Sequence, residues 1–179
     1  GDVASVTLMC KEELDPNSAD FDSRTALIVA ARKGNIDVVK HLLRCGADTN
    51  RSDVDGSIAF FDAVKNGHEH TMQCLLEHNA VFGMSESVAA STLCQTVYEG
   101  DLSTLRLLLL ARIQVNAANF DKRTAAHIAG AEGNLAALRL LREFHAEFSL
   151  HDRWGNTVED EVRQANATQI LNFLMCEGI

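Results

Sequence analysis

Residues 21–42 read FDSRTALIVAARKGNIDVVKHL, and residues 120–141 read FDKRTAAHIAGAEGNLAALRLL. The second stretch restates the first 99 residues later (120 − 21). Either a catalytic motif occurs twice or a structural unit is being counted out. Stepping by 33 from Gly34 (67 − 34) decides between them: the steps land on Gly67, Gly100, Gly133 and Asn166, and one step back lands on Gly1. Leu42 leads in the same way to Leu75, Leu108, Leu141 and Leu174, and Val39 to Met72, Leu105, Leu138 and Leu171. A register held along the whole chain marks a repeat architecture, so the two copies are units three steps apart.

Each unit has the same physical content. Apolar pairs such as Val38-Val39 and Leu42-Leu43 recur at three- and four-residue spacing, the signature of one helix face. The preceding TALIVAARK predicts a shorter helix of small residues, ended by Gly34 and its equivalents where a left-handed residue is needed. DFDSR, DVDGS and NFDKR predict turns, with Thr25 and Thr124 placed to cap the next helix. A turn, a helix, a tight turn and a second helix cannot bury an apolar stripe alone, so the units must stack.

The sequence DFDSRTALIVAARKGNIDVVKHLLRCGADTN at 20–50 resembles the ankyrin-repeat signature, and the resemblance runs along essentially all 179 residues. The first-helix tetrad varies as TALI, SIAF, STLC, TAAH and TVED. The fold it implies is an all-α ankyrin-repeat solenoid with short β-turn or hairpin fingers, a single array over 1–179. The expected repeats are 20–52, 53–85, 86–118, 119–151 and 152–179, preceded by a truncated repeat at 1–19. Because Gly1 matches the mid-repeat glycine, the chain reads as a piece of a longer protein. In the repeat at 86–118, ESVAASTLCQTVYEG lacks an Asp-Gly turn and LLLLARIQVN lacks the usual glycine, which predicts a distorted finger and the earliest fraying.

The totals restrict function. A net charge of −9 repels phosphate backbones, so no nucleic-acid partner is expected. The apolar window 105–115 is short and carries Arg106 and Arg112, so no membrane contact is expected within this chain. Five cysteines without CxxC pairs predict free thiols in a reducing, cytoplasmic compartment.

Two rows of reactive residues invite a chemical reading. Cys94, His127 and Asp160 stand 33 apart in the order of a nucleophilic triad. Equivalent residues on stacked helices lie roughly 8–10 Å apart, whereas a triad needs contacts of about 3 Å, so no catalytic residues are expected and the chain does not read as an enzyme. His41 with Cys74 and Cys45 with His78 could offer zinc ligands, but each pair is split across repeats, and surface side chains explain them better. No GxGxxG or GxxxxGK[ST] loop occurs, and Asp20/Asp22 and Asp53/Asp55 are turn formers. No cofactor and no metal are expected.

What remains is a surface. The ankyrin resemblance implies that finger tips and first helices line a partner-docking face. Its variable positions fall on Phe21, Asp22, Arg24, Arg32 and Lys33, then on Val54, Asp55, Ser57, Lys65 and Asn66. The irregular repeat supplies Val88, Ala90, Tyr98 and Glu99. The last two repeats supply Phe120, Asp121, Arg123, Glu132, Arg153, Trp154, Asn156 and Gln164. Trp154, in the turn DRWGNT, is expected to pack on the adjoining repeat more readily than to stand free. Arg24, Arg32, Lys33 and Lys65 gather into a basic end that suits an acidic segment or, equally, a solvated face, and charge reversal at Arg32 and Lys33 is expected to spare folding.

The order of LDPNSADFDSRTAL, GSIAFFDAVKNGHE, STLCQTVYEGDLSTLRLLL, FDKRTAAHIAGAEGN and DRWGNT is similar to the cytosolic ankyrin domain of plant Shaker-type, outwardly rectifying potassium channels. That resemblance implies a regulatory domain where kinases, phosphatases or sister subunits dock. The last repeats also resemble the ankyrin tail of kidney-type glutaminases, which would imply a part in enzyme assembly, and a soluble adaptor is the third alternative.

Overall fold

A computed structural model describes residues 15–176. Most of the expected half-repeat at 1–19, including Cys10, lies outside the described residues.

Each regular repeat opens with an Asp or Asn that folds a finger. Oδ1 of Asp20 accepts the N–H groups of Asp22 (3.0 Å) and Arg24 (2.9 Å). Asp53, Asn119 and Asp152 do the same for their own turns. A short polar side chain can stand in for a backbone acceptor, which is why these residues initiate turns. Isolated antiparallel bridges, Ala19 with Thr25, Ser52 with Ile58 and Ala118 with Thr124, close three of the fingers.

Behind each finger come two helices. The first helices are α1 (Ala26–Arg32), α3 (Ala59–Lys65), α5 (Glu86–Glu99), α7 (Ala125–Ala131) and α9 (Val158–Gln164). The second helices are α2 (Ile36–Arg44), α4 (Glu69–Glu77), α6 (Leu102–Leu110), α8 (Leu135–Glu143) and α10 (Thr168–Cys176). Thr25 caps α1 by accepting the Ile28 N–H, and Asn35, Asp101 and Asn134 cap α2, α6 and α8. Between the two helices, Gly34, Gly67, Gly100 and Gly133 take φ of 65–72°, and Asn166 takes 54°. The predicted left-handed step is therefore present in every repeat from 20–52 onward.

The repeat register is also the core. Leu42, Leu75, Leu108, Leu141 and Leu174 are all buried, as are Val39, Met72, Leu105 and Leu138. Full burial of such a side chain contributes roughly 1.5–3 kcal/mol, and each can be buried only if a neighbouring repeat covers it. In the first of two compact units, residues 1–84, α1 packs on α3 and α2 on α4. In the second, residues 85–179, α5 packs on α7, α7 on α9 and α6 on α8. The division falls where the irregular repeat begins.

That repeat has no finger of the regular kind. Glu86 stands where the others have Asp or Asn, and Ala89 stands where Ser23, Gly56, Lys122 and Gly155 take positive φ. Without the short acceptor and the left-handed residue, ESVAAST runs on as helix. As a result α5 has 14 residues against 7 in α1, about two extra turns. Arg112 occupies the position of the missing second glycine with φ 60°.

The expectation of free thiols holds for Cys74 and Cys94. Cys45 departs from it, being disulfide-bonded. Cysteine spacing could not foresee this, because pairing depends on which loops the fold brings together.

Candidate functional site

The finger tips present apolar side chains to solvent. Phe21 and Phe120 have relative exposures of 107% and 104%, and Val54 and Trp154 each reach 63%. Fingers are tied to their neighbours within each unit. The Val54 N–H donates to Asp22 O at 3.0 Å, and the Arg153 N–H donates to Asp121 O at 2.8 Å. Arg153 also donates to Asp121 Oδ1 at 2.6 Å and lies 5.2 Å from the Trp154 ring centroid. The exposed aromatics are thus carried on tips fixed by backbone hydrogen bonds. Trp154 does not pack away as expected: the Asp152 turn holds its backbone while the ring stands out beside Arg153.

The basic end is organised differently from the expectation. Arg32 Nε and Nη2 both reach Asp62 Oδ2, at 2.9 and 2.8 Å, and Asp62 is buried. Arg24 pairs with Asp22 at 2.9 Å. Buried Asp53 lies 3.9 Å from both arginines. Arg32 ties α1 to α3 and Arg24 ties its finger to the next, so they form no free cationic patch, and reversing Arg32 would leave Asp62 buried without a counter-charge. Lys33, Lys65 and Asn66 are exposed. Ser57 is buried and its hydroxyl donates to Asp62 Oδ1 at 3.1 Å, so it too is part of the scaffold.

The second unit solves the same problem with another arginine. Arg123 donates to Glu161 Oε2 at 2.7 Å, Glu161 being 99 positions (161 − 62) after Asp62. Asp121, Arg123 and Asn156 are half-buried, while Glu132, Arg153 and Gln164 are exposed. On α5, Tyr98 and Glu99 are exposed, Val88 is half-buried and Ala90 is buried. Sequence reading missed Asp62 and Glu161. Their equivalence in the register was visible, but an acid inside AFFDAVK carries no local mark of its partner 30 residues away (62 − 32).

The comparisons with known proteins fit this geometry. The family model for ankyrin repeats (3 copies) matches residues 1–85. The crystal structure of the ankyrin repeat domain of Bcl-3 superposes with a TM-score of 0.69 and 26% identity, covering 95% of this chain and 77% of that one. The chain is an ankyrin-repeat array. Four plant potassium channels match the array over 97% of its length at 35–37% identity. One is potassium channel KOR2 from Oryza sativa subsp. japonica, 37% identical over 174 residues, of which this chain covers 24%. The mitochondrial liver isoform of glutaminase from Rattus norvegicus is 38% identical over 78 residues, 43% of this chain and 13% of that protein. The array therefore spans about a quarter or less of these relatives.

Within the ankyrin array, the row Cys94, His127 and Asp160 does not assemble into a triad. His127 is fully buried and spent on structure. Its Nδ1 accepts the Thr124 N–H at 3.2 Å, and its Nε2 lies 3.1 Å from Leu150 O and 3.3 Å from Asn156 O. A nitrogen facing two carbonyls carries the proton, which fixes the tautomer. Asp160 accepts from the N–H and hydroxyl of Thr157, both at 2.9 Å. Burial pushes the Cys94 thiol up to about 11, so it is not a nucleophilic thiolate near neutral pH. Among the described residues, no group of three or more His, Cys, Asp and Glu is arranged to hold a metal ion. His78 Nδ1 instead sits 2.9 Å from Cys74 O. Among those residues, too, no helix is long and apolar enough to cross a membrane.

Proposed function

We propose that the array is the cytosolic regulatory region of a larger potassium-channel-like protein and docks protein partners on its finger tips. Kinases, phosphatases or sister subunits of the parent are the partner classes this reading favours. The observation that carries it is the set of fully exposed aromatics, Phe21 and Phe120, joined by Val54 and Trp154 on tips held by backbone hydrogen bonds. Exposed aromatic side chains on rigid supports are the kind of group that anchors a protein interface. The channel parentage is supported by similarity over 97% of the chain, whereas the glutaminase likeness stops at 43%.

Two experiments test the two halves. Reading the coding sequence upstream of Gly1 should reveal six apolar spans with a pore loop, and an amidohydrolase region there would transfer the array to the enzyme-tail alternative. With the channel confirmed, Phe21→Ala, Phe120→Ala and Trp154→Ala combined in the full parent should shift its voltage dependence at unchanged surface expression. Unaltered gating would remove the finger tips from regulation.

A further inference from the structure

We propose that the face formed by the second helices α6 and α8 is a second docking surface, one that takes an acidic, leucine-bearing peptide segment of another protein. The site does not use the fingers and stands independently of them.

The observation begins on α6, LSTLRLLLL, whose apolar residues are not all turned inward: Leu102 and Leu110 have relative exposures of 38% and 51%. The positions equivalent to Leu110 in the other repeats are Arg44, Glu77, Glu143 and Cys176, three of the four charged. Between α6 and α8 lies an open groove of about 590 Å³, lined by Leu102, Leu135, Ala136 and Leu140, with Arg106 and Arg139 against a single acid, Glu143, and Ser103 completing it. A second hollow, lined by Arg139, Arg142, Glu143, His145 and Phe173, shares Arg139 and Glu143 with the first and adds two further basic side chains and no further acid. Arg139 is exposed and its guanidinium lies 5.7 Å from the Phe173 ring centroid, while Arg106 reaches Glu143 only at 4.0 Å. Neither arginine is committed to a buried acid, in contrast to Arg32 and Arg123.

The chemistry of the lining selects the occupant. Leucines on the floor offer apolar area to a protruding apolar side chain, and the arginines beside it suit carboxylates, with which they can form paired hydrogen bonds. The net charge of −9 repels any anionic surface at long range. Beyond about 8 Å that field is screened at physiological salt, so a short acidic segment in the groove responds to the local arginines. A flat anionic membrane would face the acidic remainder of the chain as well, and the apolar residues here line a hollow instead of projecting as a wedge. An acidic amphipathic peptide satisfies both the floor and its rim.

The probe is a fluorescein-labelled amphipathic peptide, leucines on one face and glutamates on the other, titrated into the full chain. The matching peptide with lysines for glutamates is the control. The glutamate peptide is expected to bind, more weakly as salt rises, and the lysine peptide is not. Arg106→Glu combined with Arg139→Glu should weaken binding about tenfold or more. Both side chains are exposed, so helical circular dichroism should not change. Leu102→Ser tests the floor separately and should also weaken binding, while Phe21→Ala with Phe120→Ala should not. Equal binding of the two peptides, no binding of either, or no loss in the arginine variant would overturn the proposal. Capture by phosphatidylserine vesicles without the peptide would overturn it in favour of a membrane surface. Self-association abolished by the same variant would overturn it in favour of a second copy of this chain.

Discussion

At the scale of single residues, two neighbours that look alike in sequence have different roles. Arg32 reaches buried Asp62 at 2.8 Å, whereas Lys33 is exposed with no ion pair among the described residues. Removing Arg32 leaves a buried carboxylate without its partner, a loss of roughly 1–3 kcal/mol. We expect Arg32→Ala to lower the urea midpoint by an amount of that order and Lys33→Ala to leave it nearly unchanged. Equal midpoints would mean that the Arg32–Asp62 pair adds no stability. The leucine row from Leu42 to Leu174 and the capping role of Thr25 were legible in the sequence, because both depend on spacing along one chain segment. The destination of Arg32 was not, because the register names equivalent positions but not which neighbour an arginine turns toward. Trp154 was misjudged for a related reason: a turn fixes the backbone and leaves the ring free to take either direction.

At the scale of elements, the tight turns and the fingers make separate claims on stability. Gly34 and Gly133 share the same left-handed backbone, φ 65° and 66°, yet a Cβ at Gly34 would lie 2.6 Å from the His68 ring, whereas at Gly133 it would meet nothing within 4 Å. Both alanine substitutions carry the left-handed penalty of about 1 kcal/mol. Only Gly34→Ala must also displace His68, whose Nε2 lies 3.1 Å from Arg32 O. We expect Gly34→Ala to lower the thermal midpoint further than Gly133→Ala, and the reverse order would contradict the packing at that turn. The finger built on Asp152 carries a pH dependence. Burial pushes its carboxyl up, but the N–H groups of Asn156 and Trp154, with help from His127 and Arg123, outweigh this and hold it below the usual carboxylate range. A depressed folded value means stability that is present above the ordinary pKa near 4 and lost as pH falls through the folded value. Asp152→Asn should therefore flatten the acid limb of the stability profile below about pH 4. An unchanged acid limb would show that Asp152 is not among the titrating groups. The lost finger of the irregular repeat was half legible: ESVAAST announced a missing turn, while the additional helix that replaces it depends on the joint absence of an Asx acceptor and a left-handed residue.

At the scale of the whole molecule, repeats within each compact unit are held by contacts with their neighbours, so local stability should vary along the chain. Hydrogen exchange is expected to be fastest within 86–118, where the finger hydrogen bonds of the other repeats are missing, and uniformly slow exchange there would contradict this. The all-α repeat architecture followed from a 33-residue register that can be counted along the chain. Function was less legible, since an exposed residue and a buried one are equally silent in a sequence until the fold separates Phe21 from Ser57. The most direct test of finger-tip docking is photocrosslinking of the complete parent protein in cells, with p-benzoylphenylalanine placed at position 21, at 120 or, as a control, at exposed Gln73 on α4. Adducts of one defined mass at 21 and 120 but not at 73 are the expected result. Adducts at 73 alone, or none at either finger tip, would contradict the assignment of the fingers as the docking surface.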